Sequence, residues 1–179
     1  MRRSLLVIAV CGIAAAQTAG PDAKALEDYQ KRIGEYMKVH EKARSGLGKL
    51  KTTPSPDKIA NHEKELAHKI HEAREHAAQG NIFTPEIAAA LHHLTGDATK
   101  GEDSTTVHQS LRRSEPVVVA LKVNQAYPKG VPLQSMPPSL LQNLPKLPPE
   151  LEYRVVGHAL VLRDTGANLI VDYLPNLLP

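Results

Sequence analysis

EYRVVGHALVLRDTGANLIVDY, residues 152–173, decides the fold. It splits into three β-rich runs, 152–156, 159–164 and 169–173, separated by two turn signals. Gly157-His158 is a two-residue hairpin turn of the glycine-first kind, where the first turn residue needs a positive φ. Thr165-Gly166-Ala167-Asn168 makes the second turn. Alternate strand residues share a face, so Tyr153, Val155, Leu160, Leu162, Leu169 and Val171 form one apolar surface. Arg154, Arg163 and Asp172 are expected on the other face, where they could pair across strands. Such exposed pairs contribute roughly 0.2–1 kcal/mol. A three-stranded meander with one apolar face needs a cover, and the rest of the chain has to supply it.

The helices or the proline-rich segment are expected to supply that cover. Residues 21–53 contain no proline beyond Pro21. Leu26, Tyr29, Ile33, Tyr36, His40, Ala43, Leu47 and Leu50 recur at alternating spacings of three and four. That heptad-like seam predicts a long helix from about 22 to 45 or 50, with Gly46 and Gly48 weakening its last turn. A second helix follows a turn at 52–56, with Ser55 as cap and Pro56 in first position. Its apolar line is Ile59, Leu66, Ile70, Ala73 and Ala77, and it is expected to run to Gln79, with Gly80 as the stop. Two helices joined by a short turn make an antiparallel hairpin. Thr84-Pro85-Glu86 opens a third helix with Ile87, Ala90, Leu91 and Leu94 inward and Gly96 as its expected end. Residues 97–103 read as a polar loop, and 104–114 as a short fourth helix.

The character changes at Pro116. Val117-Val118-Val119-Ala120-Leu121 reads as a strand. Seven prolines fall between Pro128 and Pro149, so no long helix fits there, although 139–144 allows one or two turns. The expected fold is therefore α+β. A helical region at 17–115 leads through a strand and proline-rich connector at 116–149 to a β-meander at 150–179.

Residues 1–16 read as a cleavable signal peptide. Arg2 and Arg3 form its positive end, and the apolar run from Leu5 to Ala16 is too short to span a bilayer. Ala14-Ala15-Ala16 suits a cut before Gln17. A lipoprotein cut at Cys11 fits less well because bulky Val10 precedes the cysteine, and a retained anchor is the other alternative. Cleavage removes the single cysteine and two of the 22 basic residues, leaving 20 against 19 acidic ones. That balance excludes a disulfide framework, a thiolate nucleophile and a basic patch for nucleic acid. It also leaves no transmembrane span, and the location expected is periplasmic or secreted.

Of nine histidines, eight lie between His40 and His108. On the second helix His68, His71, Glu72 and Glu75 fall away from the apolar line at spacings of three and four, where they could jointly hold a divalent transition metal. A solvated polar face explains the same spacing. His92-His93 would add imidazole nearby if the helices pack. His40 sits on the seam of the first helix and reads as a core histidine bonded to a neighbour, with a metal or haem ligand as the sharper alternative. No zinc motif, nucleophile elbow, phosphate loop or dinucleotide fingerprint is present. The expectation is a non-enzymatic binding or accessory module with a protein partner in the cell envelope. Leu140, Leu141 and Leu144 are its candidate apolar patch. A metal-binding protein, with no other cofactor implied, is the alternative, and an unrecognised hydrolase is the third. The heptad seam closes within the hairpin or extends into a homodimer.

Pro132-Leu133, Met136-Pro137-Pro138, Leu147-Pro148-Pro149, Tyr153-Arg154-Val155-Val156-Gly157, Leu160-Val161-Leu162-Arg163-Asp164 and Ile170-Val171-Asp172 resemble the C-terminal domain of RcnB-like periplasmic proteins. That resemblance implies a nickel/cobalt-homeostasis accessory role. Where that pattern has Thr-Gly before the final strand, this chain has Ala167-Asn168, and asparagine tolerates the left-handed turn. No ligand motif of the RcnB-like family matches position by position, so no metal ligand is carried over. The mature chain is more similar to a group of uncharacterised exported bacterial proteins, through Asn81-Ile82-Phe83-Thr84-Pro85-Glu86 and Leu151-Glu152-Tyr153-Arg154. That resemblance implies no function.

Overall fold

The structure, a computed structural model, describes residues 20–48, 55–100, 120–127 and 136–177. The signal peptide, Leu50, the helix expected at 104–114, strand residues 117–119 and the connector at 128–135 lie outside the described residues. The fold is α+β: helices in the N-terminal half and a three-stranded antiparallel sheet at the C-terminus.

Helix α1 (Pro21–Ser45) starts on a proline, whose missing N–H is no loss in the first turn. Its seam is as the spacing predicts: Tyr29, Ile33, Tyr36, His40 and Ala43 are buried, with Leu26 and Leu47 packed beside them. Helix α2 (Pro56–Ala73) buries Leu66 and Ile70 on the same core. Ile59, expected inside, is 48% exposed.

Helix α2 ends at Ala73, short of the expected Gln79. Arg74 leaves helical geometry because tertiary partners claim it. Its guanidinium donates to Asn124 Oδ1 and to the Val171 carbonyl, each at 3.1 Å, and its own carbonyl accepts from Asn124 Nδ2 at 2.5 Å. Gly80, at φ +88°, bends the link that follows instead of capping the helix. Helix α3 (Pro85–Lys100) runs through Gly96, so residues 97–100 are helical, not loop. One interior glycine costs roughly 1 kcal/mol against alanine. Fully buried Ile87, Ala90 and Leu91 outweigh that.

The chain from α2 to α3 runs back along α1. The Arg74 guanidinium lies 5.0 Å over the Tyr36 ring. Arg32 donates to the Asn81 carbonyl at 2.7 Å, Phe83 stacks on Tyr29 at 5.9 Å, and His93 Nδ1 sits 3.0 Å from Asp22. Helices α1 and α2 also pack on each other, and the α1 seam residues Tyr29, Ile33, Tyr36, His40 and Ala43 are buried. Short helix α4 (Pro138–Asn143) buries Leu140 and precedes the sheet.

Strands β1 (Leu151–Val156), β2 (Ala159–Asp164) and β3 (Leu169–Leu174) pair in sequence order. Both turns follow the sequence: Gly157 takes φ +58° and Asn168 takes φ +50°. Between β2 and β3 the register slips. Leu162 faces Asp172 but Arg163 faces Ile170, leaving Val171 as the extra residue of a β-bulge. The bulge corrects one expectation. Val171, Asp172 and Leu174 all turn to the helices, while Ile170 and Tyr173 take the far face. Asp172 therefore does not join Arg154 and Arg163.

The far face is also more apolar than the alternation predicts. Tyr127, Val156, Val161 and Ile170 form a second buried cluster there. Segment 120–127 runs along the β3 edge, with Asn124 N–H on the Ile170 carbonyl, Ile170 N–H on the Gln125 carbonyl and Tyr127 N–H on the Asn168 carbonyl. It is an isolated bridge at Ala126, so Ala120 and Leu121 are not the strand expected of them.

Candidate functional site

The chemistry-bearing side chains of the core gather on two carboxylates. Asp164 ends β2 in phase with Leu160 and Leu162, so its side chain enters the apolar layer and is 0% exposed. Its Oδ2 accepts from the Tyr36 hydroxyl and from His40 Nδ1, each at 2.6 Å, and its Oδ1 accepts from the Ala167 N–H at 2.8 Å. Tyr36 and His40 meet it together because they are four apart on α1, one turn up the same face. The hydrogen bond to Asp164 raises the His40 imidazole above its ordinary range, against the opposing effect of burial. Burial pushes Asp164 up, but its bonds from His40, Tyr36 and Ala167 outweigh that and hold it below the usual carboxylate range. Burial, then the Asp164 charge, drives the Tyr36 phenol far up, so it stays a donor. The His40 and Asp164 shifts both favour an imidazolium facing a carboxylate. The pair can hold a proton, and both side chains are enclosed among the described residues.

Asp172 is the second hub, also 0% exposed. It accepts backbone N–H groups from Gly80 at 3.0 Å, Ile82 at 2.7 Å and Phe83 at 2.9 Å, plus its neighbour Tyr173 at 2.8 Å. These bonds satisfy the link between α2 and α3, whose amides have left any helix. A third polar contact lies beside it. Tyr153 donates its hydroxyl hydrogen to the Pro145 carbonyl at 3.0 Å, so Tyr29 is the donor in the 2.8 Å contact between the two phenols.

The four residues expected to hold a metal do not converge. His68 Nε2 lies 3.4 Å from Glu72 Oε1 on the exposed face of α2, as the i, i+4 spacing predicts. His71 turns instead to the Asn124 carbonyl, with Nδ1 at 3.2 Å. Glu75, past the end of α2, pairs with His76 at 3.1 Å. His93 faces Asp22 of α1, and His92 is exposed. Among the described residues no three His, Cys, Asp or Glu side chains form a metal-binding set.

On the far face of the sheet Glu152 takes the role expected of Asp172. It accepts from Arg163 at 2.6 Å and from Arg154, and Arg163 also donates to Asn168 Oδ1. Burial raises Glu152, but the two guanidiniums outweigh it and leave it below its usual range.

Openings in the described surface include a cleft and a groove. A polar cleft of about 460 Å³ lies between α1 and the end of α2, among Arg32, Glu35, Glu72, Arg74 and His76. A larger, more apolar groove of about 600 Å³ runs beside β1, lined by Met136, Leu141, Leu144, Leu147 and Tyr153 together with Lys146, Glu152 and Arg154. The expected Leu140–Leu144 patch is mostly core. Leu140 is 0% and Leu144 5% exposed, while Leu141 is 48% exposed.

His40 is legible in the sequence, and its partners are not. A tyrosine one turn before a seam histidine was one signal. An aspartate in phase with two core leucines was the other. Asp172 carried no such signal, because its orientation depends on the bulge.

The site and fold together define an α+β protein whose buried ionisable groups tie helices to sheet and whose open surfaces are clefts. Comparison with family models, curated proteins and solved structures finds no match. No helix among the described residues is long and apolar enough to cross a membrane.

Proposed function

We propose that this chain is a non-enzymatic binding or accessory module of the cell envelope, exported by its N-terminal signal. The groove beside β1 carries the reading. It is a concave apolar surface within the size range of ligand sites, with Leu141 left exposed at its edge. Its occupant is a short apolar segment of a partner protein with an acidic flank. Lys146, Glu152 and Arg154 all line the groove, and Glu152 is held by Arg154 and Arg163, so the lining is net positive. The core ionisable groups support a structural role, since each is hydrogen-bonded and enclosed.

A peptide library displayed against the full chain tests this. Enrichment of Leu-, Met- or Phe-containing peptides with Asp or Glu nearby is expected. Binding should fall at least tenfold for Leu141→Asp and more modestly for Lys146→Glu. Selected peptides that bind Leu141→Asp unchanged would contradict the assignment.

One observation favours a second reading. His68 and Glu72 stand side by side and exposed on α2, a pair able to hold a divalent transition ion. A four-ligand site there requires His71 and Glu75 to leave Asn124 and His76. Calorimetric titration with nickel and zinc, repeated on His68→Ala/Glu72→Ala, separates this reading from the first. Micromolar binding lost in the double variant would support it.

A further inference from the structure

We propose that the His40–Asp164 contact is a proton-dependent latch: protonated His40 holds the C-terminal half of α1 on the β2–β3 turn, and rising pH loosens this corner while the rest of the fold stays clamped.

The two buried hubs differ in the chemistry of their donors. Both carboxylates are fully enclosed and multiply bonded. Among the described residues every donor to Asp172 is a backbone amide, and none of these titrates. One donor to Asp164 is an imidazole. The chemistry of the clamps is therefore alike, but only one depends on a proton.

The surroundings of His40 are mixed in charge. On its own helix stand Tyr36, bonded to the same carboxylate, and Arg44, whose charge disfavours the imidazolium. Glu150, just before β1, and Asp164 of β2 favour it. From α2, Leu66 packs against the turn at Gly166, close to His40 Cε1, and Arg74 covers Tyr36.

The direction follows from linkage. Folding raises the affinity of His40 for its proton, so the stabilisation is complete below the ordinary histidine value, about 6.5. It is lost as pH rises through the raised folded value. Asp164 shifts the other way and keeps its charge until pH falls through its lowered folded value. Neutral His40 can still donate from Nδ1. What disappears is the positive charge on the donor, so an ion pair becomes a neutral donor on a carboxylate, a weaker contact in an enclosed site.

Hydrogen exchange by NMR on the full chain tests the latch, because each hub has its own reporter amide. Ala167 N–H reports Asp164 and Phe83 N–H reports Asp172. Between pH 5 and 9 the protection factor of Ala167 should fall at least tenfold relative to that of Phe83. Its midpoint should match the His40 titration followed by ring ¹⁵N shifts. In His40→Gln the ratio should stay flat. A constant ratio in the wild-type chain, an equal change in His40→Gln, or a His40 midpoint at or below the ordinary value would overturn the proposal. If His40→Gln does not fold, the wild-type ratio and the His40 midpoint still decide it.

Discussion

Asp172 shows how much one side chain can carry. Three N–H groups from a link that belongs to no helix end on its carboxylate. A buried donor left without an acceptor costs about 1–3 kcal/mol. Asp172→Ala should therefore lose roughly 3 kcal/mol or more in urea unfolding, and Asp172→Asn, which keeps one carbonyl oxygen, clearly less. Tyr36→Phe removes one donor but leaves Asp164 bonded to His40 and Ala167, so a smaller loss of about 1–2 kcal/mol is expected. Equal losses for Tyr36→Phe and Asp172→Ala would show that the number of donors does not set the cost. At this scale the sequence was half legible. The position of His40 on an apolar seam announced a buried histidine. Its acceptor lies 124 residues away, and only the pairing of helix with strand brings them together.

At the scale of elements, local signals were sound and endings were not. The spacing of Tyr29, Ile33, Tyr36 and His40 placed α1 and its buried face, because a helix repeats every 3.6 residues whatever covers it. Glycine-first and asparagine-last turns placed the meander for the same local reason. The end of α2 depended on Arg74 meeting Asn124 and Val171, contacts that no window of sequence contains. The inward turn of Asp172 depended on a one-residue slip against β2. Glycines within these elements supply a prediction of each sign. Gly34 lies in the middle of α1, exposed, and a Cβ there would meet nothing within 4 Å. Gly34→Ala should raise stability by about 1 kcal/mol. Gly157→Ala should lower it by about 1 kcal/mol or more, since alanine is strained at φ +58°. Thermal unfolding of the two variants beside wild type checks both signs.

For the whole molecule, one packing problem organises the rest. The sheet needed cover on its helix-facing side, and α1, α2 and α3 provide it through a single core cluster that includes Tyr153, Leu160, Leu162 and Val171. The polar hubs inside that cluster set how stability follows pH. Asp164 and Glu152 are both held below their usual ranges, so stability should fall as pH drops below about 4. His40 is shifted the other way, so stability should also decline above about pH 6.5. Melting temperature against pH should pass through a plateau between those limits, and His40→Gln should flatten the upper arm only. Export is checked separately. Mass spectrometry of chain recovered from the envelope should find an N-terminus at Gln17.

The central claim is that His40 and Asp164 act as one buried ion pair joining helix to sheet. A double-mutant cycle with His40→Gln and Asp164→Asn, read by urea unfolding at pH 6, tests it most directly. Each single variant should lose about 3–5 kcal/mol, because each strands the other partner in the core. The double variant should lose much less than their sum, with a coupling of roughly 2 kcal/mol or more. Losses that add to within about 0.5 kcal/mol would mean the two residues act independently, and would contradict the claim.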